Sequence, residues 1–181
     1  MPYWEPVGSD MLGAKHIAGP GGQFEPQRAH NFELLVSVPG AAGADILMKS
    51  VETSFGVSHN SEPLQLPYMN EYSYIAARPT YAPGPVVYRD FVNMDVYSAL
   101  ERWSTLVYNP LTSLIGYASD YKSMATLSLY DVKGELERAW EIIGIWPQDI
   151  SPEGPSHVNS DIIRINVTFQ FDKAVPMFVG A

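Results

Sequence analysis

The chain contains no cysteine, so neither disulfides nor thiolate metal sites can hold its fold together. That fits folding in a reducing compartment. Basic residues are scarce: 11 Lys and Arg stand against 20 Asp and Glu, a formal net charge of −9. Surfaces that grip nucleic acid neutralise phosphates with Lys and Arg and draw affinity from released counterions, so this balance excludes a nucleic-acid clamp. Beside DNA such a protein would act as a repelling wall. No uninterrupted apolar run approaches the roughly 20 residues of a membrane helix. Glu5 and Asp10 come early with no apolar stretch between charged and cleavage regions, which is unlike a secretory signal.

Motifs that carry chemistry are missing too. His16, His30, His59 and His157 are far apart and lie in expected loops or arms, and none has metal-ligand spacing. Gly19-Pro20-Gly21-Gly22 lacks the Lys-Ser/Thr of a phosphate loop, and no G-x-S-x-G elbow occurs. Asp149, Glu153 and Asp161 cluster near one connection, but among Pro, Ser and Gly rather than in an apolar pocket that would raise a carboxyl pKa. Asn166-Val167-Thr168 matches a glycosylation acceptor inside an expected strand, where it is a chance match. Trp103 and Trp140 are single aromatics on a helix or strand face and read as core. The expectation is a structural protein with no catalytic residue, no metal and no cofactor.

What is present suits a sheet protein. The hydrophobic fraction of 46% and charged fraction of 17% belong to a folded chain. The 15 Pro and 11 Tyr favour many short strands joined by turns. Residues 1–28 read as an extended Gly/Pro-rich arm with scattered aromatics such as Tyr3, Trp4 and Phe24. One domain is expected over 29–172 and a C-terminal tail over 173–181. Phe32–Val38 reads as the first strand, and Ile46–Val57 begins as another. Ser58–Asn70, with Pro63 and Pro67, reads as a long exposed loop, and such loops tend to be functional. Glu71–Ala77 and Val86–Val92 read as strands. Asp95–Tyr108 is the convincing helix: Asp95 can cap it, and Val96, Leu100, Trp103 and Val107 share one face. Ala125, Leu127 and Leu129 alternate as a strand, Val132–Glu135 turns, Leu136–Trp146 pairs back, and Pro147–Pro155 connects onward.

The segment Asp161–Phe171 alternates most cleanly. Ile163, Ile165, Val167, Phe169 and Phe171 point one way; Arg164, Asn166, Thr168 and Gln170 point the other. One face is core, and the other is wet or meets a polar partner. The fold class is therefore mainly β, antiparallel sheets in a sandwich or barrel-like pair with one flanking α-helix.

The run Ala139–Pro147 (AWEIIGIWP) resembles the strand ending in G-x-W/Y-P of tail tube proteins from contractile-tailed bacteriophages, through Gly144, Trp146 and Pro147. Val167-Thr168-Phe169 stands where that family often has V-T-F or V-T-L, and Asn31–Val36 looks like its opening strand. The resemblance implies a fold similar to that of type VI secretion tube proteins. It further implies copies joined edge to edge into rings of six, stacked into a tube that conducts DNA at ejection. Sheath, baseplate and tail-terminator proteins would be partners, and tape-measure protein and DNA would pass through the lumen unbound. The implied place is the virion tail, assembled in the host cytoplasm. Ring-to-ring contact candidates are Trp4 and Phe24 of the arm and Ser58, His59, Asn60, Pro63, Leu66 and Tyr68 of the expected loop. Arg164, Asn166, Thr168 and Gln170 are candidates for the tube wall, facing the lumen or a neighbour. A secretion or pyocin-like tube is the alternative, and a monomeric β-barrel ligand-binding module or enzyme is the second.

Overall fold

The computed structural model describes residues 27–39, 44–92, 96–155 and 161–177. The arm candidates Trp4 and Phe24, the capping residue Asp95, and His16 and His157 lie outside them.

Two antiparallel sheets share one long strand. The first sheet runs β1 (Phe32–Val36), β8 (Ser123–Tyr130), the first part of β9 (Leu136–Pro152) and β11 (Lys173–Met177). The second takes the last part of β9, then β10 (Arg164–Gln170), β5 (Gly84–Arg89) and the short β2 (Val51–Thr53). Apolar alternation puts Leu34, Val36, Leu127 and Ile142 of the first sheet against Val86, Tyr88, Ile165, Val167 and Phe169 of the second, all buried.

The helix expected near 95–108 is α2 (Val96–Val107), which buries Val96, Leu100 and Trp103 as its spacing requires. Trp103 packs on Phe169 with ring centroids 5.7 Å apart, and its Nε1–H donates to the Tyr121 carbonyl at 2.7 Å. A buried indole thus has its one polar atom satisfied.

Several expectations are corrected. Ile46 does not open a strand: Ala44–Ser50 is a helix, α1, of good helix formers such as Leu47, Met48 and Lys49. It ends where the Ser50 hydroxyl donates to the carbonyls of Ile46 and Leu47, at 2.8 and 3.0 Å. The flanking helix is thus not alone; α1 and a single turn, α3 (Ala118–Tyr121), accompany it. Ser58–Asn70 is not a loop. His59–Tyr68 is strand β3, paired with β4 (Glu71–Tyr81), so Glu71–Ala77 belongs to a separate hairpin rather than to the body.

Pro147–Pro152 is not a connection but the continuation of β9. Proline lacks an N–H and survives in sheets at edges and bulges. Both conditions hold here: this half of β9 is the rim of the second sheet, and Gln148 is the extra residue of a bulge between Phe169↔Pro147 and Thr168↔Asp149. Lys173–Met177, expected as the start of a tail, pairs with β9 as β11.

Candidate assembly surfaces

Hairpin β3–β4 forms a sheet of its own, apart from the body. Every residue from His59 to Thr80 is exposed. Across the pair, Leu64 opposes Ile75 on one face, and Gln65 opposes Tyr74 and Pro67 opposes Tyr72 on the other. Tyr68, Tyr72 and Tyr74 stay more than 60% exposed, and Leu64 is 51% exposed. Ten residues of β3 span about 34 Å at the usual rise per residue. A two-stranded hairpin with both faces wet is marginal in water, which makes this one a candidate contact surface. Of the contact candidates, His59, Asn60, Pro63, Leu66 and Tyr68 lie along β3 and Ser58 at its base. The return strand's Tyr72, Tyr74 and Ile75 share the same surface and were missed. The signal for them was the tight turn at Met69-Asn70 between two alternating runs.

The residues of the family motif sit where β9 leaves one sheet for the other. Gly144 has φ of +73°, and a Cβ there would strike the Asp172 carboxylate. That carboxylate is gripped by the Lys122 ammonium at 2.7 and 2.8 Å. Glycine is therefore required twice, by backbone conformation and by space. Trp146 meets Tyr121 edge to face at 5.7 Å, and Pro147 is buried at the bulge. The motif marks a structural corner.

The outward side of β10 carries Arg164, Asn166, Thr168 and Gln170, as the alternation predicts. Arg164 is already engaged. Its Nε lies 3.0 Å from Glu52 Oε2, which also holds Arg89 Nε at 3.2 Å, and its Nη1 reaches Asp161 at 3.4 Å. Hydrogen bonds from Arg89 and then Arg164 hold the Glu52 carboxyl below its ordinary range. The cluster ties β2, β5 and β10 together across the sheet.

An open groove of about 920 Å³ lies between β1 and the segment after α1, lined by Phe32, Leu34, Phe55, Leu127, Leu129 and Trp140 among others. Its acids have partners: Glu33 accepts from the Tyr130 hydroxyl at 2.7 Å, and Glu52 is bound as above. Among the described residues no group of His, Asp and Glu could hold a metal ion, and no helix is long and apolar enough to cross a membrane.

This body, with a strand shared between two sheets, a flanking helix and a projecting hairpin, is the tail-tube fold. The particular likenesses are to solved structures at low identity. A chain of the sheath/tube terminator of an extracellular contractile injection system, PVC, in its extended state, superposes with a TM-score of 0.64 at 13% identity, over 84% of this chain and 97% of that one. A chain of the sheath–tube complex of the same kind of system gives 0.60 at 15% identity, over 92% and 99%. The SPP1 tail tube gives 0.51 at 11% identity, over 83% and 78%. No protein-family model matches the sequence, and no curated protein matches it.

Proposed function

We propose that this chain is a structural subunit of a tube, with six copies per ring and rings stacked into a conduit for DNA in a phage tail. The observation that carries the reading is the tail-tube fold joined to a hairpin exposed on both faces. Among the described residues, β1 and β11 are edge strands of the first sheet and offer the ring its lateral pairing, since an unpaired edge is a template for the next copy and a closed ring has none. Hairpin β3–β4 reaches the adjacent ring, with Ser58, His59, Asn60, Pro63, Leu66 and Tyr68 at that contact. The polar side of β10 lies on the tube wall. Sheath, baseplate and terminator proteins are its neighbours in the particle, and its role is structural rather than catalytic.

The acidic balance suits a conduit. A lumen without free Lys and Arg leaves phosphates nothing to release counterions against, so DNA slides without sticking. Assembled tubes should retain no duplex DNA at low salt; strong retention would overturn this point.

The test of the whole reading is negative-stain microscopy with sedimentation at rising concentration. Rings or tubes are the expected result, and a monomer at every concentration sinks it. A second reading, an extracellular injection system carrying no packaged DNA, is favoured by the higher TM-scores to such systems. Assaying the isolated particle for DNA separates the two.

A further inference from the structure

The loop after α2 is built to hold apolar side chains out in water. Tyr108–Asn109 (β6) pairs with Leu114–Ile115 (β7). Asn109 fastens the turn between them: its carbonyl accepts the Ser113 N–H at 2.8 Å, and its side-chain oxygen accepts the Leu111 N–H at 2.9 Å. The Gly116 N–H donates to the Val107 carbonyl at 3.0 Å, and a Cβ at Gly116 would strike the Leu106 carbonyl, so the loop is stitched to the end of the helix. On this frame Leu111 is 94% exposed, Tyr117 81%, Ile115 78% and Leu114 67%. Between Trp103 and Tyr121 the sequence holds a single charge, Asp120.

The largest apolar patch on a monomer, typically about 300–600 Å², is often functional, and a preorganised loop loses little freedom when covered. The apolar groove lies at the far end of the same strand. Strand β8 starts at Ser123, just past the loop, and ends at Tyr130 on the groove's rim, about 25 Å away at strand rise. Glu33 and Glu52 are already paired, and Lys49, the cation of the lining, is exposed and keeps its ammonium in water, so an uncharged occupant strands none of them.

We propose that the loop Tyr108–Tyr117 of one copy seats in the apolar groove of the next. Each copy carries both halves at opposite ends of one strand, so the contact is head-to-tail and repeats from copy to copy. It closes a ring if the rotation allows. The inference rests on the tube reading for the existence of an assembly, but it names a contact that reading does not require.

The absence of cysteine makes the test clean. Gly56 lines the groove, is exposed, and a Cβ there meets nothing within 4 Å. The double variant Leu111→Cys with Gly56→Cys should give a ladder of covalent oligomers on mild oxidation, while each single variant stays monomeric on a denaturing gel. In a second arm, Leu111→Asp/Ile115→Asp spoils the loop and Gly56→Trp plugs the groove. Each should lose every species above monomer in sedimentation while keeping its circular dichroism. Mixed, they should form heterodimers and stop there, because each supplies the half the other lacks. No ladder, no heterodimer, or normal assembly of the loop variant overturns the proposal. So does normal assembly of Gly56→Trp, which would show that assembly needs nothing seated in the groove. In all these outcomes rings from the unaltered chain leave the tube reading standing. A monomeric unaltered chain sinks both.

Discussion

The two-sheet body and hairpin β3–β4 use the same strand geometry to opposite ends. In the body, alternate residues are buried: Ile165, Val167 and Phe169 are at most 1% exposed. In the hairpin both faces stay wet, although Leu64, Leu66 and Ile75 are as apolar as any core residue. Burial of one such side chain is worth about 1.5–3 kcal/mol. The body realises that gain within one chain, whereas the hairpin leaves it unrealised. A period-2 pattern therefore reports strands, not whose core they enter.

That contrast can be broken at its strongest point first. Trp103→Ala should destabilise the body by about 3–5 kcal/mol in denaturant titration, since it empties a large buried volume and strands the Tyr121 carbonyl. Gly144→Ala should lower stability by roughly 1–3 kcal/mol, because a side chain at positive φ is strained and must also displace Asp172 from Lys122. The body also carries a flaw that can be repaired. The Tyr88 hydroxyl is buried with no hydrogen-bond partner among the described residues, and burial pushes its pKa up. Tyr88→Phe should raise the unfolding free energy by about 1 kcal/mol, read in denaturant titration. Replacing residues 60–79 with a short turn should leave the monomer's unfolding midpoint nearly unchanged while abolishing tubes under the microscope. A large stability loss from that deletion would erase the distinction between the two regions.

The smallest effect concerns pH. Glu52 has a folded pKa depressed by Arg89 and Arg164, so it contributes stability above the ordinary carboxylate pKa of 4.5 and loses it as pH falls through the lower folded value. Glu52→Gln should flatten that part of the acid-stability profile, with its small loss of stability seen at neutral pH and vanishing below the folded pKa. A wild-type profile with the same slope as the variant's would remove the cluster from the account of the body.

Where local pattern and tertiary burial agreed, the elements were legible. Val96, Leu100 and Trp103 announced α2, and the alternation through Ile165, Val167 and Phe169 announced β10. The corner at Gly144 was visible as a motif, though its reason needed the approach of Asp172. Other elements were hidden by physics that acts at a distance. Pro147 and Pro152 read as breakers because nothing local says that this half of β9 is a rim with a bulge. Pro63 and Pro67 disguised β3 for the same reason. Ile46 and Leu47 suggested a strand because two adjacent apolar residues do not fix a period. Lys173–Met177 has too little alternation to declare itself, and its place depends on β9 having a free side. The candidate surface was half legible: β3 was singled out for exposure and proline, while Tyr72 and Tyr74 passed as body strand.

Strand β9 has a mechanical meaning as well. It runs without interruption from Leu136 to Pro152 and serves both sheets in turn. Tension applied to one sheet therefore passes to the other along covalent backbone, and the interdigitated core need not transmit it. Prising the sheets apart would mean shearing many hydrogen bonds of one strand at once instead of unzipping them singly. A chain wired in this way resists a pull along β9 through its connectivity, and Gly144 is the elbow about which that wire bends.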